Sequence, residues 1–135
     1  AMIALNAVGC AVAAFIASYC SSEALVANLQ AIIDARLTAS WHKILVTSIG
    51  TGMIMTLAVY GARQKHYLPL LFGVPVFIPC GLPHCVADAF YFLACPSDVL
   101  AQSGWELLSV YISIVVGNSV GCNLYRWILP AKNCE

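Results

Sequence analysis

Four prolines inside one bilayer-length apolar run constrain this chain more than any other feature. The run extends from Tyr67 to Cys95 (YLPLLFGVPVFIPCGLPHCVADAFYFLAC) and holds Pro69, Pro75, Pro79 and Pro83. Each proline removes a backbone donor and disfavours helix at the residue before it. About 20 apolar residues cross a bilayer core, so the run is long enough to span one. In lipid a freed carbonyl has no water to turn to, and such a break persists only where it is buried in protein or lines a cavity. His84 follows the last proline directly, and Asp88 lies four residues on. That spacing puts the two on one face if the second half is helical. The stretch predicts a broken membrane helix with a polar pair at the start of its second half, an arrangement that marks transport sites.

The rest of the chain agrees with a membrane setting. Of its 135 residues, 61% are hydrophobic and 9% are charged, against about 25% charged in soluble domains. Six basic residues balance six acidic ones. There is no basic stripe interleaved with aromatics, which excludes a nucleic-acid partner. Cysteines stand at 10, 20, 80, 85, 95, 122 and 134, mostly inside apolar runs and without C-x-x-C or zinc spacing. They read as small hydrophobes, not as a metal site or a disulfide scaffold. No nucleophile–base pair and no cofactor loop appears, so neither an enzyme nor a cofactor is expected.

Taken in order, residues 1–22 carry no charge and read as span one. No positive region precedes them, so they do not read as a secretory signal. The chain opens on Ala1 without a polar lead-in, as a fragment would. Residues 23–43 mix Leu25, Leu29, Ile32, Ile33 and Leu37 with Glu23, Asp34, Arg36 and Lys43. That segment is amphipathic and is expected at the interface. Residues 44–61 are span two, with Gly50 and Gly52 permitting close approach of another helix. Residues 67–95 are the broken third span, and 107–125 are span four. Trp41 and Trp105 read as interface anchors. The whole is expected to be a single all-α transmembrane domain over 1–135, multi-pass, in a plasma, inner or organelle membrane. Four spans put both termini on one side with Arg63, Lys65, Arg126 and Lys132, against Arg36 and Lys43 on the other. The positive-inside rule then places the termini and the 62–66 turn in the cytoplasm.

A short motif recurs. Leu5-Asn6-Ala7-Val8-Gly9-Cys10 and Gly117-Asn118-Ser119-Val120-Gly121-Cys122 agree at four of six positions. Spans one and four run in opposite directions in the expected topology. A motif repeated on oppositely directed spans is what an inverted-topology transporter repeat leaves.

Together these features resemble the formate/nitrite transporter family. Its fifth span carries a motif like G-F-E-H-S-x-A-N-M-x-F, and Gly81-Leu82-Pro83-His84-Cys85-Val86-Ala87-Asp88-Ala89-Phe90-Tyr91 keeps the glycine, the histidine, the alanine and a following aromatic. Its sixth-span G-N-x-x-G is matched by Gly117 to Gly121, and Gly52 to Tyr60 keeps the second half of its fourth-span N-W-L-V-C-L-A-V-W. Arg36 falls where the family has a vestibule lysine, and Phe77 where it has a pore-narrowing phenylalanine. The family's glutamate is Pro83 here, its fifth-span asparagine is Asp88, and its fourth-span asparagine is Gly52. The resemblance covers the family's third to sixth spans and leaves its first two without a counterpart. It implies part of an inverted-repeat, aquaporin-like channel fold, a homopentamer with a pore in each protomer, and a small monovalent anion as cargo.

Each candidate also has a plainer role. His84 either serves the pore, donating to an anion or passing it a proton beside a positive helix start, or is bonded within the protein. Asp88 is neutral in a dry site, paired with His84, or the mark of a lost anion path. Asn118 offers amide donors to an anion or glues two helices, and packing is the safer reading for Asn6. Arg36 collects anions or is a solvated interface charge. Phe77 narrows the pore or packs. The leading expectation is a channel or transporter for a weak-acid anion of formate, nitrite or lactate type, proton-linked. Its rival is a non-transporting membrane subunit, a degenerate copy of the fold that serves assembly of a larger complex.

Overall fold

The structure, a computed structural model, describes residues 2–20, 22–77 and 79–128. Ala1, Lys132, Cys134 and the tail beyond Ile128 lie outside the described residues. Six helices follow one another: α1 (Met2–Tyr19), α2 (Glu23–Thr38), α3 (Trp41–Arg63), α4 (Leu68–Phe77), α5 (Cys85–Leu93) and α6 (Ser97–Ile128). Among the described residues there is no strand.

Local chemistry sets where these helices begin and end. Ser22 caps α2, its backbone extended and its hydroxyl accepting from the Leu25 N–H at 3.2 Å, which satisfies one of the orphan donors of the first turn. α3 closes in a paired cap. The Lys65 N–H donates to the Ala62 carbonyl at 3.0 Å and the His66 N–H to Gly61 at 2.8 Å, with Lys65 itself left-handed at φ 62°. Gly61 packs so tightly on the His66 carbonyl and the Pro69 ring that a Cβ there would collide.

The proline-rich run divides as proline chemistry requires. Pro69 occupies the first turn of α4, where its missing N–H is harmless. Pro75 sits inside that helix. α4 ends at Phe77, and the Cys80 N–H still donates to the Val76 carbonyl at 3.3 Å. Gly81 takes a left-handed φ of 63°, and across it the Leu82 N–H donates to the Phe77 carbonyl at 3.2 Å. Residues 79–84 are non-helical, and the helix resumes at Cys85. A left-handed glycine costs nothing sterically and ends a helix, and Pro83 disfavours helix at Leu82 before it.

The chain divides into two compact units. The first comprises residues 1–41 and 85–112. There α5 packs against α1 and α2, and the core is Ile33, Phe92 and Leu107, with Leu37, Tyr91, Val99 and Tyr111 around it. The second comprises residues 42–84 and 113–135. There α3 meets the second half of α6 with almost no side chain between the backbones. A Cβ on Gly52 would strike the Asn118 backbone, and one on Gly121 the Ile49 carbonyl. Small residues permit this approach where lipid supplies no hydrophobic drive between helices.

α3 and α6 are long and apolar enough to cross a membrane, over Trp41–Arg63 and Ser97–Leu124. Both begin earlier than hydropathy suggests, at 41 instead of 44 and at 97 instead of 107. α6 carries one non-helical residue, Ser103, at φ −120° and ψ 15°. α1 and α4 are shorter apolar helices. The segment expected at 23–43 is α2 followed by the first residues of α3. Leu5, Phe15, Leu71, Phe72 and Trp105 are each more than 60% exposed, a surface suited to hydrocarbon and not to water.

Candidate functional site

The five residues singled out from the sequence fall into two groups, one in each unit. Arg36 and Asp88 belong to the first unit, and Phe77, His84 and Asn118 to the second.

In the first unit, α2 presents Arg36 and α5 presents Asp88, and the two form an ion pair. The Arg36 Nε donates to Asp88 Oδ1 at 2.7 Å. The side chains are 11% and 1% exposed, so the pair is withdrawn from solvent. A lone carboxylate at membrane depth costs roughly 2.5–3.5 kcal/mol on insertion scales. Pairing with a guanidinium answers that cost by neutralising the charge locally. Asp88 therefore has a partner the sequence does not suggest, 52 residues away. His84 lies one residue before the start of α5. Close by, the Cys10 thiol of α1 donates to the Val86 carbonyl of α5 at 3.3 Å.

In the second unit, the non-helical residues before Cys85 bring His84 beside Phe77. Their ring centroids are 5.5 Å apart and their planes tilt by 33°. Phe77 is buried and His84 half-buried. Asn118 is 5% exposed. Its amide nitrogen donates to the Ser48 carbonyl at 2.9 Å and to the Pro83 carbonyl at 3.3 Å. One side chain of α6 thus pins α3 and the residue before His84 together. The Pro83 carbonyl lies in the non-helical stretch 79–84, and Asn118 supplies it with a donor. Both bonds run to protein carbonyls, so in this state the amide is engaged in helix packing. Asn6, its counterpart in the repeated motif, is exposed, and Gly9 has nothing within 4 Å of where a Cβ would sit.

Ser48 is a residue the sequence reading misses. Its side chain is fully buried, and its hydroxyl is the one buried side-chain polar atom without a partner among the described residues. The hydroxyls around it on α3 bond back to their own helix: Thr47 to Lys43 at 2.6 Å, Thr51 to Thr47 at 3.0 Å, Thr56 to Gly52 at 2.9 Å. An orphan buried hydroxyl costs about 1–3 kcal/mol. The available signal is a serine in mid-span, one turn before Gly52.

Two helices of bilayer length and many large apolar side chains on the exterior suit a membrane protein. A family model described as formate/nitrite transporter matches residues 1–131. The chain belongs to the formate/nitrite transporter family, and so to the membrane transporters. Comparison with curated proteins and with solved structures gave no match.

Proposed function

We propose that this chain passes a small monovalent weak-acid anion of formate, nitrite or lactate type across a membrane, with proton transfer at His84. The observation that carries the reading is His84 beside the Phe77 ring in the non-helical stretch ending at Pro83, within a member of the formate/nitrite transporter family. In this reading the chain is one multi-pass domain of four spans, α4 and α5 being the halves of a broken one, and protomers assemble as the family's pentamer.

The steps follow from the residues. An anion leaving water loses its hydration, and an apolar ring such as Phe77 imposes that loss at a narrow point. His84 then replaces part of the hydration by donating from its ring, or hands over a proton so that the neutral acid crosses. Its place just before α5 puts it at a helix start, where partial positive charge favours an anion. Arg36 holds Asp88 in a neutral pair, so the carboxylate presents no net repulsion to the anion. Asn118 holds the loop that carries His84. The test is flux of formate, nitrite and lactate into proteoliposomes by wild type and His84→Phe. The phenylalanine replaces bulk but no donor, so flux is expected to vanish while folding stays intact. Undiminished flux in His84→Phe would refute the role of the histidine.

A further inference from the structure

The Ser48 hydroxyl is buried with no partner, although its neighbours Thr47, Thr51 and Thr56 all bond back to their own helix. Ser48 has the same option, because a helical serine can reach the carbonyl one turn earlier. Its own carbonyl accepts from Asn118, and the same amide reaches Pro83, whose neighbour in the chain is His84. On its other side the Ser48 Cβ lies against Gly117, where a Cβ would come within 2.6 Å. Gly117 has no side chain that could supply a partner. A buried polar group is normally satisfied by protein, by water or by a ligand. Here no protein group among the described residues meets the hydroxyl, and the surrounding bonds tie the residue to the loop of the proposed histidine.

Resting on the transport reading, we infer that Ser48 is a further hydrogen-bond donor of the permeation path, its hydroxyl taking one oxygen of a dehydrated small carboxylate such as formate. A serine hydroxyl suits this task because its proton turns to whichever acceptor arrives. It carries no charge, so it does not hold the anion against release.

The experiment compares wild type, Ser48→Ala, Ser48→Cys and His84→Phe in two readouts: formate flux in proteoliposomes, and the shift in unfolding temperature on adding sodium formate to detergent-solubilised protein. Ser48→Ala is expected to fold at least as well as wild type without formate, because an orphan is removed. It should raise the KM for formate about tenfold, the usual worth of one hydrogen bond, and lose most of the formate-induced shift. Ser48→Cys, which keeps a weak donor, should lie between the two, and it carries the test if the alanine variant does not fold. Wild-type flux and shift in Ser48→Ala, with flux lost in His84→Phe, would overturn the role of Ser48 alone. Absence of formate flux in wild type would overturn the transport reading and this inference with it.

Discussion

Replacing Asp88 by Asn leaves Arg36 facing a neutral amide in a site where it is 11% exposed. Removing one member of a buried ion pair costs about 3–5 kcal/mol, because the remaining charge is uncompensated. The two ends are not equivalent. The Asp88 side chain is 1% exposed and short, so after Arg36→Met its carboxylate has nowhere to go. Arg36 has a long stem and can move its charge towards water. Arg36→Met should therefore lie near the top of that range and Asp88→Asn near or below the bottom. Arg36→Met with Asp88→Asn removes both charges and should cost much less than the sum of the two single changes, since neither leaves an uncompensated charge behind. Reversible unfolding of the four proteins in mixed micelles gives the double-mutant cycle, with a coupling energy of at least about 2 kcal/mol expected. Raising sodium chloride from low to high concentration should leave the coupling nearly unchanged, because buried pairs are little screened. Additive single mutants, or a coupling that salt abolishes, would show that the pair is exposed to water and would refute the reasoning.

Three further outcomes follow from the same geometry. Gly121→Ala drives a Cβ into the Ile49 carbonyl and should cost about 1–3 kcal/mol by overpacking, whereas Gly9→Ala, with open space around it, should change stability by less than about 1 kcal/mol in the same unfolding assay. Asn118→Leu removes the amide's bonds to the Ser48 and Pro83 carbonyls and should destabilise the protein by roughly 1–3 kcal/mol, chiefly through Pro83, since the Ser48 carbonyl keeps its place in the α3 ladder; proteolysis near Gly81 that is no faster than in wild type would contradict the pinning role. A cysteine engineered at Gln64 should react with an impermeant thiol reagent from the cytoplasmic side only, as the lysine and arginine asymmetry requires, and labelling from the opposite side alone would reverse the topology.

Much of the helix layout is legible from residue types. The interruption after Phe77 follows from Pro79, Gly81 and Pro83, each of which opposes a helical ladder on its own. Close packing of α3 on α6 follows from Gly52, Gly117 and Gly121, whereas Gly50, expected to admit a helix along with Gly52, has nothing within 4 Å of where a Cβ would sit. Helix boundaries are less legible. Hydropathy detects the apolar part of a helix, and α6 continues outward through Glu106, Gln102 and Asp98, which need no burial once they lie beyond the hydrocarbon. The partners of the polar side chains are not legible at all. Arg36 reaches Asp88 across 52 positions and Asn118 reaches Ser48 across 70, separations that no local pattern encodes. The pattern G-N-x-x-G marks Asn118 as important without telling whether its amide serves an anion or two backbone carbonyls. Ser48 looks ordinary in sequence because serines in helices usually bond back to the preceding turn, as its threonine neighbours do.

The central claim, that a weak-acid anion passes by way of His84, is tested most directly by formate uptake into proteoliposomes under an imposed proton gradient. Wild type should accumulate formate when the outside is acidic, and His84→Phe, reconstituted to the same density and equally resistant to unfolding, should be indistinguishable from empty vesicles. Rapid uptake by His84→Phe, or wild-type uptake indifferent to the direction of the proton gradient, would contradict the account.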